Sequence, residues 1–197
     1  MIALPDIKLM KYEEKIYEAN NEIREENYGK AFNIYLELAN NGSIDCQRFI
    51  GWMYYTGKGV DKDLRKASDW FSKAADKGDI EAKYGLGKVY ISSENYSKSL
   101  TILLECANQG FPAAMYSLGV MYRDGKGVET DRDKAYMYFK NGMKNGNLWS
   151  HRAWIGMLLG GYKGLLNRVI GVLALVYYVP RFFFIALKDK HDTRFLS

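Results

Sequence analysis

Few side chains in this sequence have the type and spacing to do chemistry. Two short runs, Asp61-Lys62-Asp63 and Asp131-Arg132-Asp133, pair carboxylates that could ligate a divalent cation. Asp63 and Asp131, however, stand where a helix is expected to begin. A carboxylate there accepts hydrogen bonds from free backbone N–H groups and meets the positive end of the helix dipole. The Gly-Lys-Gly triplets at 57–59 and 125–127 invite a phosphate-binding loop. That loop needs Gly-x4-Gly-Lys-Ser/Thr after a strand, so both triplets read as turns instead. Cys46 and Cys106 lie sixty residues apart with no metal-ligand spacing around them. They occupy small or apolar positions and are expected to be buried, inert thiols. His151 stands at a position that recurs as Gln47, Lys83 and Met115, read as an exposed, variable site, and His191 falls in a charged tail. No catalytic residue, metal, cofactor or small-molecule substrate is expected, and hence no enzyme.

Charge placement narrows the partners. The net charge is +5, but from Gly160 onward the chain carries six Lys/Arg against two Asp, leaving 22 basic and 21 acidic side chains in the first 159 residues. A nucleic-acid binder would spread a basic stripe over its folded body, so nucleic acid is not expected. Positive charge bracketing an apolar tail suits an anionic lipid surface. The N-terminus shows no basic region followed by an apolar run, and with only two cysteines the body is expected to be cytoplasmic. Sixteen Tyr against three Pro suits helices packed through large amphipathic side chains.

Those helices repeat. Gly42, Gly78, Gly110 and Gly146 are spaced by 36, 32 and 36 residues. Ala31, Ala67, Ser99 and Ala135 keep the same intervals, as do Cys46, Ala82, Ala114 and Ser150. Gly51, Gly87 and Gly119 follow with Tyr54, Tyr90 and Tyr122. The short interval arises where a Thr-Gly-Lys-Gly-Val turn collapses into Ser-Ser-Glu-Asn at 92–95. Each unit predicts a helix A (44–56, 80–92, 112–124), a turn and a helix B (63–77, 95–109, 131–145), closed by a glycine in the left-handed conformation. Small residues let helix backbones approach. Helix B supplies the bulk, through Ile34/Tyr35, Trp70/Phe71, Ile102/Leu103 and Tyr138/Phe139. One pair cannot bury its own apolar face, so neighbours must stack.

The first unit carries Gly57, Gly59, Val60, Asp63, Lys66, Ala67, Trp70, Phe71, Ala74 and Ala75 in register; the third carries Gly125, Gly127, Val128, Asp131, Lys134, Ala135, Tyr138 and Phe139. This pattern resembles the Sel1-like repeat, a relative of the tetratricopeptide repeat with a longer turn. The resemblance covers about residues 28–160 and implies an all-α solenoid of antiparallel helix pairs. It also implies scaffold work in signalling, protein quality control or bacterial envelope assembly. The middle unit lacks the Gly-x-Gly-Val turn. The fourth has Ile155 in its Gly column and no helix B signature. Residues 1–27, with Ile7, Met10 and Ile16 at helical spacing, are expected to cap the first unit.

Stacked pairs line a groove with their variable positions. Trp52, Lys88 and Val120 share one repeat position, and Tyr55, Ile91 and Arg123 another. Exposed Trp, Tyr and Arg are typical of interface hot spots. Trp52, Tyr55, Lys88 and Arg123 are therefore candidate contacts for a protein partner, with Trp52 equally readable as core.

Residues 161–197 form a different kind of segment. Val169 to Leu187 is 19 residues, about 28 Å as a helix, close to one hydrocarbon core. The candidate lipid contacts are Val169, Ile170, Val172, Leu173, Leu175, Val176, Tyr177, Tyr178, Arg181, Phe182, Phe183, Phe184, Ile185 and Leu187. Arg181 can snorkel, and Pro180 is tolerated in lipid. Three readings stand in order: a single-pass anchor, an interfacial element broken at Pro180-Arg181, and a soluble helix capping the solenoid. The expected protein is a non-enzymatic, membrane-attached adaptor holding partners at the cytoplasmic face. The alternatives are an accessory subunit of a cell-envelope complex for polysaccharide synthesis or secretion, and a soluble regulatory adaptor.

Overall fold

A computed structural model describes the backbone of residues 7–188 and the side chains of residues 10–177. Among the described residues there are ten α-helices and no strand. They are α1 (Ile7–Arg24), α2 (Tyr28–Asn40), α3 (Ile44–Thr56), α4 (Leu64–Ala75), α5 (Ile80–Ser92), α6 (Tyr96–Asn108), α7 (Pro112–Asp124), α8 (Arg132–Lys144), α9 (Leu148–Leu159) and α10 (Leu165–Lys188). The chain divides into two compact units, Met1–Ile102 and Leu103–Ser197.

In the first unit, consecutive helices from α1 to α5 pack as antiparallel-pair neighbours, and α3 also touches α5. The core follows the repeat columns. Ala31, Ala67, Cys46 and Ala82 are buried, and Tyr35 and Phe71 supply the bulk between helices. α1 covers this core with Ala19 and the half-buried Tyr12 and Ile16, while Met10 points outward. The side chain of Ile7 lies outside the described residues.

Helix ends are made economically. Where α4 stops, Gly78 takes φ +92°, its N–H bonds Ala75 O, and the N–H of Asp79 reaches back to Ala74 O at 3.2 Å. This is a Schellman closure. Asp79 then turns its carboxylate forward to accept from the amides of Glu81 and Ala82, at 2.9 and 3.0 Å, as the N-cap of α5. One residue thus ends one helix and begins the next. Ser43 and Asn147 do the same before α3 and α9. At the matching place Phe111 has no capping side chain, and Pro112 opens α7 with its fixed φ.

In the second unit, α7, α8 and α9 pack on one another around Phe139, Ala135 and Met157. The fourth unit does acquire a second helix, α10, which packs on α9. Gly171 is the residue buried at that contact. A Cβ on the buried Gly171 would stand 2.9 Å from Leu158 Cβ and 3.0 Å from the Leu159 amide nitrogen. No helix among the described residues is long and apolar enough to cross a membrane.

Candidate interaction surfaces

The groups with chemical potential are spent on the fold. Asp63 accepts from the amides of Arg65 and Lys66, both at 3.0 Å. These bonds, that of Lys66 foremost, hold its carboxyl below the usual range. Asp131 accepts likewise from the Lys134 amide at 2.9 Å. Gly59 belongs to a turn that lies against α2. It has φ +77°, and any Cβ would collide with the Tyr28 carbonyl oxygen. Lys58 lays its ammonium over the rings of Tyr28 and Trp52, at 5.0 and 5.2 Å. Cys46 and Cys106 are buried thiols outside any disulfide, and burial pushes the Cys46 thiol up.

His151 corrects an expectation. It is buried, not exposed, and desolvation lowers its pKa. Its repeat position explains why. Gln47, at the same position, is buried and donates to Ala39 O at 3.1 Å, while Lys77 bridges Gln47 Oε1 and Gly42 O. Met115 is buried too. The column admits different chemistry, with Gln47, Met115 and His151 buried and Lys83 half-buried.

The four candidate partner contacts fall in both units. In the first, Trp52 is half-buried, packs on two apolar clusters and is roofed by Lys58. Tyr55 is half-buried, with its hydroxyl 3.1 Å from Ser92 Oγ of α5, one turn beyond the half-buried Lys88. Tyr55 and Lys88 are thus on facing sides of α3 and α5, whereas Trp52 belongs largely to the core. In the second unit, Arg123 is exposed and grips its neighbour Asp124 in a two-bond fork, at 2.7 and 3.0 Å. That hydrogen bonding raises the guanidinium pKa and depresses the carboxyl.

Arg123 also lines an open groove of about 510 Å³ between α7, the start of α8 and α9. Arg132 and Arg152 contribute two more guanidinium groups; Tyr116, Trp149 and Met157 provide apolar surface. Trp149 is 59% exposed. Gly156 leaves a stretch of α9 backbone bare, with nothing within 4 Å of where a Cβ would stand. Sequence reading passed over Trp149, Arg152 and Gly156. The available signal was their spacing of three and four residues, which places them on one face of α9.

On α10 the apolar residues divide by size. Gly171 is buried against α9, while Leu165, Leu166, Val169, Ile170, Val172, Leu173, Leu175, Val176 and Tyr177 are exposed. The other proposed lipid contacts, Tyr178, Arg181, Phe182, Phe183, Phe184, Ile185 and Leu187, have side chains outside the described residues, and His191 lies outside them altogether.

A family model, Sel1 repeat, matches residues 44–79 and 112–147. Over 106 residues the chain is 35% identical to the ERAD-associated E3 ubiquitin-protein ligase component HRD3B of Arabidopsis thaliana, covering 51% of this chain and 16% of that one. Over 122 residues it is 27% identical to the chitin synthase regulator SKT5 of Saccharomyces cerevisiae, covering 58% and 18%. The chain therefore spans less than a fifth of the length of either relative. A Sel1 repeat protein from Oxalobacter formigenes shares the fold, with a TM-score of 0.63 at 23% identity over 77% of this chain and 65% of that one. With its repeat columns, caps and turns in register with the matched segments, the chain is a Sel1-like repeat protein.

Proposed function

We propose that this chain is a non-enzymatic adaptor that holds a protein partner at the cytoplasmic face of a membrane, with α10 lying along the lipid surface. The observation that carries the membrane half is the sorting of α10. Its small residue meets α9, and its large ones face outward, with Leu173 64% and Val176 69% exposed. A helix docked side-on to a protein body offers lipid one face, which suits interfacial burial more than a span encircled by acyl chains. Arg168 near its start would meet anionic headgroups. Buried thiols outside any disulfide fit a reducing compartment. The adaptor half draws on the repeat family and on relatives named as a ligase component and a synthase regulator. Tyr55 and Lys88 in the first unit and Arg123 in the second are the proposed partner contacts.

Fractionation tests the reading. The full chain should sediment with membranes and be released by detergent, and the Leu173→Glu/Val176→Glu variant should stay in the supernatant while remaining helical. A wild-type chain that stays dissolved without detergent would end the membrane reading. The named role of SKT5 favours a second reading, an accessory subunit of a polysaccharide-synthesis complex. In that case α10 packs on a membrane enzyme, and the chain should sediment only from cells that contain that enzyme.

A further inference from the structure

We infer that the groove between α7, α8 and α9 is a docking cleft for an acidic, partly apolar segment of a partner protein; this rests on the adaptor reading and names its partner's chemistry. The first argument is Gly156. A glycine inside an exposed helix costs about 1 kcal/mol relative to alanine. Elsewhere in the repeats that cost has a visible cause: Phe71 fills the space beside Gly51 and Gly85, and Phe139 the space beside Gly119. Beside Gly156 there is nothing within 4 Å, so the missing side chain keeps the groove floor open rather than admitting a neighbour.

The second argument is charge. Three arginines line the groove and no acid does; Asp124, outside the lining, holds Arg123 by a fork of two bonds. Arg132 and Arg152 meet no carboxylate within the lining, and such guanidinium groups raise the local potential and favour an anionic visitor. An incoming Asp or Glu can take the same fork geometry on Arg152 or Arg132. Trp149 then offers a large, rigid apolar surface beside the charges, the side-chain combination found at binding hot spots. The open shape suits a chain passing through better than an enclosed small molecule. A near-neutral folded body, 22 basic against 21 acidic residues over the first 159, argues against nucleic acid as the occupant.

The test is fluorescence anisotropy on the full-length protein. The probe is a short fluorescein-labelled peptide in which glutamates alternate with leucine and phenylalanine; the controls are the same peptide with lysines for glutamates, and a labelled oligonucleotide. The acidic peptide should bind, more weakly as salt rises, and the lysine peptide should not. Gly156→Leu fills the floor and should weaken binding about tenfold or more, with the melting temperature unchanged or higher. Arg152→Glu, at an exposed position, should do the same and keeps the test open if the leucine variant misfolds. Equal binding of acidic and basic peptides, preference for the oligonucleotide, or full affinity in Arg152→Glu would overturn the proposal. The Leu173→Glu/Val176→Glu variant should bind the peptide normally. A partner that still co-sediments with the Arg152→Glu chain would leave the adaptor reading standing and the cleft assignment wrong.

Discussion

The ring of Phe71 occupies the place of two absent side chains: its atoms stand 2.8 Å from where Gly51 would carry a Cβ and 2.6 Å from where Gly85 would. Helices α3 and α5 can therefore close on α4 from both sides. Gly51→Ala should destabilise the protein by about 1–3 kcal/mol, because ring and helix must part to admit a methyl group, less the gain in helix propensity. Phe71→Ala leaves a cavity and should cost about 3–5 kcal/mol. In the double variant the clash vanishes, so the two losses should fall short of adding. Urea denaturation of the three variants measures this, and strict additivity would mean that the ring does not occupy that space.

Asp79 joins two helix ends and also pairs with Arg48, whose Nε lies 3.3 Å from its carboxylate. Cap and ion pair can be separated. Arg48 keeps Asp45 at 2.7 Å, and Glu81, without Asp79. Asp79→Ala should lose about 0.5–2 kcal/mol, while Asp79→Asn, which still accepts from the amides of Glu81 and Ala82, should retain most of it. Equal losses in thermal melts of the two variants would assign the stability to the charge instead.

Helix positions were legible because the repeat columns report backbone needs directly. The predicted helices A at 44–56, 80–92 and 112–124 are α3, α5 and α7. The buried small columns from Ala31 to Ala135 and from Cys46 to Ser150 had no other physical reading. Less legible was anything decided by what a residue faces. His151 looked exposed because its column varies in polarity, but Gln47 and Met115 are buried there through different contacts, the first with Ala39 O and Lys77, the second with Asn145. Gly85, outside the repeat columns, also receives the ring of Phe71, a contact that spacing alone does not reveal. The groove at Arg152 and Gly156 was hidden for a related reason. There Gly156 falls at the repeat position of Trp52, Lys88 and Val120, so the groove replaces a side chain with none in the unit that departs most from the repeat.

Burial of His151 carries a pH dependence. Desolvation disfavours the imidazolium, so the folded-state pKa lies below the usual 6.5. The unfolded chain then binds more protons, and stability rises with pH across this interval. The contribution is fully present above pH 6.5 and is lost as pH falls toward the folded value. Melting temperature should drop on moving from pH 7.5 to 5.5 by more in the wild type than in His151→Gln, a residue that the first unit already accommodates at Gln47. Parallel slopes for the two proteins would place the titration elsewhere.

The connection into α10 is latched on α8. Asp133 accepts the Tyr162 hydroxyl proton and pairs with Lys163 Nζ at 3.1 Å, and Arg132 stacks over the Tyr162 ring at 5.6 Å. Tyr162 first, then Lys163, hold the Asp133 carboxyl below its ordinary value of 3.8. Burial, then the bond to Asp133, raises the phenol, and Asp133 raises the Lys163 ammonium. The carboxylate's contribution is therefore present above pH 3.8 and lost as pH falls through the folded value. The contributions of Tyr162 and Lys163 run the other way: present below their ordinary values of 10.0 and 10.5, and lost as pH rises through the raised ones. Across the neutral range all three are engaged, so the latch should not respond to modest changes in acidity. Hydrogen exchange in the first turns of α10 should be faster in Asp133→Asn than in the wild type at pH 7, and the difference should disappear well below pH 3.8, where both proteins carry a neutral side chain. Comparing the two proteins at each pH cancels the intrinsic pH dependence of exchange. An equal difference at both ends would mean that the asparagine perturbs the start of α8 rather than the charge that holds α10 in place.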